Sequence, residues 1–445
     1  MVTFAPASPT RLKKVLGVAF GVSIVVGGTI GAGILRTPGA IAALLPDKGL
    51  ILACWTLAGL YILLSASSYA ELTTLSPKAG GAFNYIQRAF GAYAGFVAGW
   101  FDFLANGLAP AVFCLLLGEY TGLLVPALAG HPAAVGSAFL TLFTLLNLPG
   151  VRSGSAVQQL TSALKIGVLL VLVLGCFVAR PALAAPAPVL ASGVGSGLVG
   201  GAAVVAFFRA MQLILGTYDG WMSVSFFAEE DDDPGRNIPR SYFIGALTVI
   251  GLYLLINAAI LYVLPLAVVA HSPLAAAAAA AVAFGSWSAT FMQVAAIFIL
   301  LSILNAYMMI PARILFGLSR EGYFVPQGMA VNRGGTPYFA LLTCYGLSLL
   351  ALVSNSFEQL FSLGAVLMTL VSALAFAALL RLRKTEPTLH RPYRAWGYPY
   401  ATVLALLVTV VLFVGFAVSD GRSFLVVVAV FLAMYPLYRL SRRSK

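Results

Sequence analysis

The stretch Val26-Gly27-Gly28-Thr29-Ile30-Gly31-Ala32-Gly33-Ile34-Leu35 lies inside the first apolar segment of the chain and holds four glycines. Because each glycine in a helix interior costs about 1 kcal/mol relative to alanine, we do not expect an unbroken helix here. A later apolar segment contains Leu215-Gly216-Thr217-Tyr218-Asp219-Gly220-Trp221, with two glycines and an ionisable residue near its middle. These two interrupted segments decide which fold the sequence can adopt.

The chain around these stretches is too apolar to cover a water-facing surface. Of its 445 residues, 61% are hydrophobic and 9% are charged, whereas a typical soluble domain has roughly 45–50% apolar and about 25% charged residues. This composition argues against a soluble enzyme, a secreted disulfide scaffold and a disordered protein. It predicts an all-α integral membrane protein whose solvent is mainly lipid.

The apolar segments predict twelve transmembrane helices, since a hydrocarbon core of about 30 Å needs about 20 apolar residues per helix. An Ala-rich stretch at residues 274–284 is predicted to be a short external helix and not a further crossing. The predicted spans lie near residues 16–38, 49–72, 93–126, 135–149, 157–178, 199–228, 241–264, 286–316, 337–354, 359–381, 400–418 and 423–440.

Lys and Arg are distributed unequally between the two sides of the predicted membrane. With the N-terminus inside, the external segments hold only Arg36, Lys48, Arg180 and Arg422, while nineteen basic residues fall in cytoplasmic segments. The positive-inside rule then places both termini in the cytoplasm and requires an even number of spans. The same asymmetry accounts for the net charge of +12 without a nucleic acid partner.

The two interrupted segments are spans one and six. A broken backbone at membrane depth is tolerated only where protein, water or a ligand satisfies its N–H and C=O groups. Breaks five spans apart suit two inverted five-helix repeats with the ligand held between the broken helices. Close helix packing is the alternative reason for the glycines, since Gly27 and Gly31 have small-xxx-small spacing.

We therefore divide the chain into two repeats and three smaller parts. The repeats are residues 16–180, with helices 1–5, and residues 199–383, with helices 6–10. Residues 398–440 hold helices 11 and 12, and residues 1–15 and 441–445 are cytoplasmic tails.

Ionisable and polar side chains inside spans are candidates for function because their burial in lipid is costly. Lys165 could replace a bound cation at the carbonyls of the broken first helix, release a proton, or snorkel to the cytoplasmic surface. Asp219 could act on a ligand ammonium or cap the second half-helix. Asp102 and Asn106 share a helix face, where Asn106 could bind a ligand or join helices. Tyr307 fits a pocket wall or an ordinary core position.

The sequence predicts no cofactor, no metal site and no enzyme activity. His131, His271 and His390 lie in predicted loops without a metal-ligand partner at suitable spacing, and no catalytic motif falls within a span. The acidic run Glu229-Glu230-Asp231-Asp232-Asp233 is interpreted as a solvated loop that ends span six.

Five motifs follow one another over nearly the whole chain. They are Gly31-Ala32-Gly33-Ile34; Tyr69-Ala70-Glu71-Leu72 with Pro77, Gly80-Gly81 and Tyr85; Tyr218-Asp219-Gly220-Trp221 with Glu229-Glu230, Pro234, Arg236-Asn237 and Pro239-Arg240; Leu304-Asn305-Ala306-Tyr307 with Arg313 and Ser319-Arg320-Glu321-Gly322; and Leu382-Arg383 with Pro387 and Arg391-Pro392-Tyr393-Arg394. In this order they resemble the amino acid–polyamine–organocation (APC) superfamily, and within it the L-type amino acid transporter branch. The resemblance implies a leucine-transporter-like fold with helices 1 and 6 unwound and two additional C-terminal helices.

The resemblance also implies a sodium-independent secondary transporter of amino acids in the cell membrane that works by alternating access. Exchange and proton-coupled symport both stay open. The implied partners are a small amino acid, the lipid bilayer and, if transport is coupled to them, protons. In such carriers the substrate carboxylate meets backbone N–H groups at the first break, here Ala32, Gly33 and Ile34. A half-helix N-terminus favours an anion there.

The substrate ammonium of these carriers meets carbonyl groups at the ends of the other half-helices, here Thr29, Gly216 and Asp219. The helix-five lysine of the family matches Lys165, and the resemblance implies that it stands in for the sodium ion of related carriers. Asn106 and Tyr307 complete the set of substrate-binding residues that we predict.

Two departures from the family pattern concern the substrate. Ala32 replaces a common serine, which removes one side-chain hydrogen bond to the carboxylate, and Gly216 replaces an aromatic gate. Without a clear carboxylate-binding arginine in the pocket, neutral amino acids are the predicted substrates. A cationic amino acid or polyamine carrier, with Asp219 or Asp102 as counter-charge, is the alternative.

Overall fold

The chain is described by a computed structural model, which covers residues 12–31, 33–179, 201–272, 274–353, 357–419 and 421–443. Over these ranges it is almost entirely helical, with one isolated parallel bridge between Leu16 and Asp231. The helices are α1 (Val18–Thr29), α2 (Gly33–Leu44), α3 (Lys48–Leu75), α4 (Phe83–Phe90), α5 (Ala92–Gly107), α6 (Ala109–Leu124), α7 (Pro132–Asn147), α8 (Val151–Val178), α9 (Gly201–Thr217), α10 (Pro234–Val263), α11 (Leu266–His271), α12 (Ala275–Phe284), α13 (Ser288–Arg320), α14 (Tyr338–Val353), α15 (Phe357–Thr385), α16 (Tyr400–Ser419) and α17 (Gly421–Arg443).

Seven helical segments of the described residues are long and apolar enough to cross a membrane. Four shorter apolar helices accompany them, at Val18–Thr29, Pro132–Asn147, Tyr338–Leu352 and Tyr400–Gly415. The prediction of an all-helical, multi-pass membrane protein is therefore confirmed. The number of twelve spans and the inverted repeat stay predictions.

Helix α13 is central in the bundle and α17 is peripheral, as the buried share of each helix shows. In the most apolar 18-residue stretch of Ala275–Arg320, 72% of the stretch is buried inside the protein, whereas the corresponding share for Phe424–Ser441 is 11%. Helix α13 consequently lies inside the bundle, where α1, α5, α6, α8 and α14 pack against it. Apolar side chains on α17 such as Leu425 and Leu432 are exposed, as expected for a helix whose solvent is lipid.

The first and sixth predicted spans are interrupted as the glycines indicate. Helix α1 ends at Thr29 because Ile30 turns to an extended backbone conformation, with φ −78° and ψ 98°. Helix α9 ends at Thr217, and a turn then leads into a 3-10 helix at Trp221–Phe227. Gly220 in that turn has φ +97°, a left-handed conformation that glycine adopts at little cost.

Two further predictions concern the shape of individual spans. The third predicted span, 93–126, is two helices, because α5 ends at Gly107 and α6 begins at Ala109 with Pro110 in its first turn. Proline lacks the N–H that would continue the hydrogen bonds of α5. The Ala-rich stretch forms the short helix α12; its external position stays a prediction.

Candidate functional site

The two interruptions of the helices lie against each other. We call the segment between Thr29 and Gly33 the first break and the turn Tyr218 to Gly220 the second break. A Cβ atom added at Gly220 would overlap the carbonyl group of Gly28, and one added at Gly28 would lie 3.4 Å from the carbonyl oxygen of Gly220. Side chains therefore have no room where the two breaks meet, and peptide groups face each other there.

Lys165 of α8 reaches the carbonyl groups at the end of α1. Its Nζ lies 2.6 Å from the carbonyl oxygen of Ile30, 3.0 Å from that of Gly27 and 3.5 Å from that of Val26. The last carbonyls of a helix lack intrahelical donors and carry partial negative charge, so an ammonium is favoured there. The side chain is fully buried. This burial contradicts the alternative of a lysine that snorkels to the surface.

Tyr253 of α10 connects the two breaks, and sequence reasoning missed it. Its hydroxyl lies 3.1 Å from the carbonyl oxygen of Thr29 and 3.0 Å from that of Thr217. The ring packs against Trp55 and Tyr218, with centroids 5.4 Å and 4.9 Å away. The only sequence signal was one tyrosine in an aliphatic run at residues 252–256. The predicted ammonium acceptor on Thr29 therefore has a protein donor in this conformation.

The remaining predicted contacts of the breaks differ in accessibility. Gly33 and Gly216 are exposed, Asp219 is partly exposed and Ile34 is buried. Around Gly216 an added Cβ atom would meet nothing within 4 Å, so the missing aromatic leaves open space. Ala32 lies outside the described residues.

Helix α5 brings Asp102 and Asn106 onto one face, as predicted. The Asn106 side-chain amide donates to Asp102 Oδ1 and to the Asp102 carbonyl oxygen, both at 2.8 Å, and lies 3.6 Å from Met368 Sδ. Asp102 is fully buried. Tyr307 of α13 is 9% exposed and packs edge-on against Phe113, with ring centroids 5.3 Å apart.

A buried polar network continues from Lys165 along α8. Gln158 and Ser162 both donate to the carbonyl oxygen of Ser23, at 3.2 Å and 2.9 Å. Asn305 of α13 donates to Gln158 Oε1 at 2.8 Å and accepts from Asn147 of α7 at 2.9 Å. Helices α1, α7, α8 and α13 are thereby joined through hydrogen bonds that no sequence motif indicated.

The acidic run at residues 229–233 is solvated only in part, because Asp232 and Asp233 are exposed whereas Glu230 and Asp231 are buried. Glu230 is fully buried and binds Arg313 at 2.7 Å and 3.0 Å. Glu229 accepts from the Arg320 guanidinium at 2.6 Å and from the Ala79 amide at 2.8 Å. Burial raises the pKa of Asp231, which is only 4% exposed. Arg313 and Arg320 of α13 hold the first two residues of the run against the protein. The local sequence could not show this, because both partners are distant in sequence.

A second ion-pair cluster lies at the same end of the bundle. Glu71 of α3 is fully buried and accepts from Arg383 at 2.7 Å and from the Ala395 amide at 2.6 Å. It also forms an ion pair with Arg391 at 2.9 Å. We call the two clusters together the charged end, with Glu71, Glu229, Glu230, Arg313, Arg320, Arg383 and Arg391 as its members. It connects α3 and the segment before α10 to the C-terminal ends of α13 and α15.

The chain matches known proteins over most of its length. The amino acid permease family matches residues 16–435. The serine/threonine exchanger SteT of Bacillus subtilis is 27% identical over 443 residues, which cover 98% of this chain and 98% of that protein. The human cystine/glutamate transporter is 30% identical over 86% of this chain and 77% of its own length. The mouse b(0,+)-type amino acid transporter 1 is 27% identical over 92% of this chain and 84% of its own length. The chain therefore belongs to the amino acid permease family of the APC superfamily.

Proposed function

We propose that the protein is a sodium-independent secondary transporter of neutral amino acids, working by alternating access as an exchanger or a proton-coupled symporter. It lies in the cell membrane with both termini and the charged end in the cytoplasm. Twelve helices cross the membrane, and residues 16–180 and 199–383 form two inverted five-helix repeats. The observation that carries this proposal is the pair of adjacent breaks with a buried ammonium at the end of α1.

The first break provides the binding site for the substrate carboxylate. Helix α2 begins at Gly33, so the N–H groups of Gly33 and Ile34 have no acceptor within the helix, and Ala32 precedes them. The positive end of the α2 dipole favours an anion at this point. The exposure of Gly33 leaves the backbone accessible to the ligand.

The substrate ammonium binds at the second break. Gly216 is exposed and Asp219 is partly exposed, and the carbonyl of Thr29 becomes available when the Tyr253 hydroxyl donates to Thr217 instead. A hydroxyl has one proton, so it favours one of the two carbonyls at a time. Lys165 takes the place of the sodium ion of related carriers. Unlike that ion, it is not released during the transport cycle.

Side-chain selectivity depends on α5, α13 and the space at Gly216. Asn106 and Tyr307 contribute to the pocket walls, and the open volume around Gly216 accepts a neutral side chain. Relatives are named for serine and threonine or for cystine and glutamate, which supports amino acids as the class of substrate. The negative charge of Asp219, a partly exposed residue at the second break, favours the second candidate, a cationic amino acid or polyamine.

Uptake into proteoliposomes tests these statements. Radiolabelled alanine, serine and leucine would be offered with and without internal amino acid, in sodium or potassium buffer, and with and without an inward proton gradient. Arginine and putrescine would be added as competitors. We expect saturable uptake of a neutral amino acid that sodium does not change. The absence of saturable uptake for every amino acid would contradict the proposed function.

A further inference from the structure

Two buried ionisable side chains in the membrane-embedded core differ in how they are satisfied. The Lys165 ammonium contacts three carbonyl oxygens, so each of its donors has an acceptor. Asp102 is buried to the same extent, but among the described residues only its Oδ1 accepts a hydrogen bond, from Asn106. Its Oδ2 is buried and has no hydrogen-bond partner in that part of the chain.

No positive charge compensates Asp102 within the described part of the chain. The ion pairs there involve Arg88, Arg313, Arg320, Arg383 and Arg391, and none of them includes Asp102. The titratable groups that act on it electrostatically, or on which it acts, are acids and phenols: Asp219 of the second break, Tyr307 of α13, Tyr69 of α3 and Tyr85 of α4. A carboxylate that has no counter-charge and is repelled by a second carboxylate is unfavourable in a medium of low dielectric constant.

We propose that Asp102 binds the proton that this transporter carries together with its substrate. A proton on Oδ2 removes the unpaired charge and adds no volume to a site that is closed around this oxygen. An ammonium or guanidinium group of a substrate side chain needs space beside the oxygen, which this conformation does not provide. The observed burial thus distinguishes a proton from a larger cation.

The proton transfer is a simple exchange with water on either side. When the site is open to the outside, an O–H bond forms at Oδ2 with a proton from external water. When the site is open to the cytoplasm, the bond breaks and the proton passes to internal water, so one positive charge moves inward with each zwitterion. Lys165 keeps its proton in this scheme, because its ammonium donates to the carbonyls of Gly27 and Ile30 at the end of α1, where a positive charge is favoured.

The position of Asp102 couples the proton to the substrate. Asn106, one helical turn away, holds Oδ1 and belongs to the proposed pocket. Asp219 stands at the proposed ammonium site and acts electrostatically on Asp102. A substrate ammonium beside Asp219 changes the field at Asp102, and by linkage the protonation of Asp102 changes the affinity for the substrate. This inference rests on the proposed amino acid transport and selects symport from its two modes.

Substrate-induced proton flux in proteoliposomes tests the proposal. The vesicles would contain a pH dye, and their membrane potential would be clamped. A neutral amino acid would then be added so that its concentration is higher outside than inside. The wild-type protein should acidify the lumen. Asp102→Asn, which has nearly the shape of the protonated acid, should abolish acidification and reduce substrate accumulation under an inward proton gradient to a ratio of about one, with counterflow still measurable. Glu119→Gln, which removes an exposed carboxyl on α6, should behave like wild type.

Three results would overturn the proposal. Amino acid uptake by the wild type without proton flux would exclude proton coupling, whatever the variants do. Proton flux that persists in Asp102→Asn would assign the proton to another group. In a third result, Asp102→Asn loses the uptake of arginine or lysine, while uptake of neutral amino acids continues without proton flux. Asp102 would then bind the charged side chain of the substrate and not a proton. Failure of the proposed function is distinct, because it removes uptake and counterflow in the wild type as well.

Discussion

The paired breaks and the charged end satisfy buried charge in two different ways. At the breaks, the Lys165 ammonium is held by three carbonyl oxygens of α1. At the charged end, Glu230 and Glu71 are held by arginine side chains in paired contacts. Carbonyl groups are neutral acceptors that a substrate can share, whereas an ion pair with both partners buried resists separation. The first arrangement suits binding and release, and the second suits holding one conformation.

The largest effect is expected at the charged end. Glu230→Gln leaves the Arg313 guanidinium buried without its counter-charge, which typically costs about 3–5 kcal/mol. We expect a clear fall in the thermal unfolding temperature of the purified protein in detergent. Glu386→Gln is the matched control, because its partner Arg88 and Glu386 itself are about one-third exposed, and such pairs contribute about 0–1 kcal/mol. Equal destabilisation by both variants would contradict the distinction.

The next effect concerns the ammonium at the first break. Lys165→Ala leaves the carbonyls of Gly27 and Ile30 without their side-chain donor, and about 1–3 kcal/mol for each unsatisfied group predicts a loss of uptake of about 100-fold. Initial rates in proteoliposomes would be compared at several pH values. Lys48→Ala is the control, since that lysine caps the carbonyls of Leu261 and Leu264 but is only partly buried. Transport and pH response unchanged in Lys165→Ala would refute the role of the lysine.

These two regions also differ in how far the sequence predicted them. The breaks were predictable because glycine clusters act locally on a helix, and Lys165 was found because one charge in an apolar span is conspicuous. The partners of Glu230 and Glu71 were not predictable, since Arg313 and Arg383 are separated from them by 83 and 312 positions. Tyr253 was missed for a related reason: a tyrosine looks the same in sequence whether its hydroxyl bridges two carbonyls or faces lipid.

A smaller effect is expected for the hydroxyl that joins the breaks. Tyr253→Phe keeps the ring packing against Trp55 and Tyr218 but removes the donor to Thr29 and Thr217. Because the hydroxyl competes with the substrate ammonium for the Thr29 carbonyl, a net hydrogen-bond contribution of about 0.5–1.5 kcal/mol predicts a fall in KM of about 3- to 10-fold. Tyr262→Phe on the same helix, at an exposed position, should leave KM unchanged. A KM for Tyr253→Phe equal to that of the control would show that the bridge has no part in substrate binding.

The smallest effect is expected for Gly216→Ala near the end of α9, and Gly220→Ala in the second break is the comparison. Gly216→Ala places a methyl group in open space, in the last turn of α9 where alanine is the better helix former by about 1 kcal/mol, so stability should be kept or slightly raised. Gly220→Ala instead forces a left-handed residue against the carbonyl of Gly28, and both unfolding temperature and uptake should fall. Uptake and thermal unfolding of the two variants, measured side by side, check this contrast. If Gly216→Ala is as damaging as Gly220→Ala, the space at residue 216 is not open, and the room that we assign to the substrate side chain does not exist.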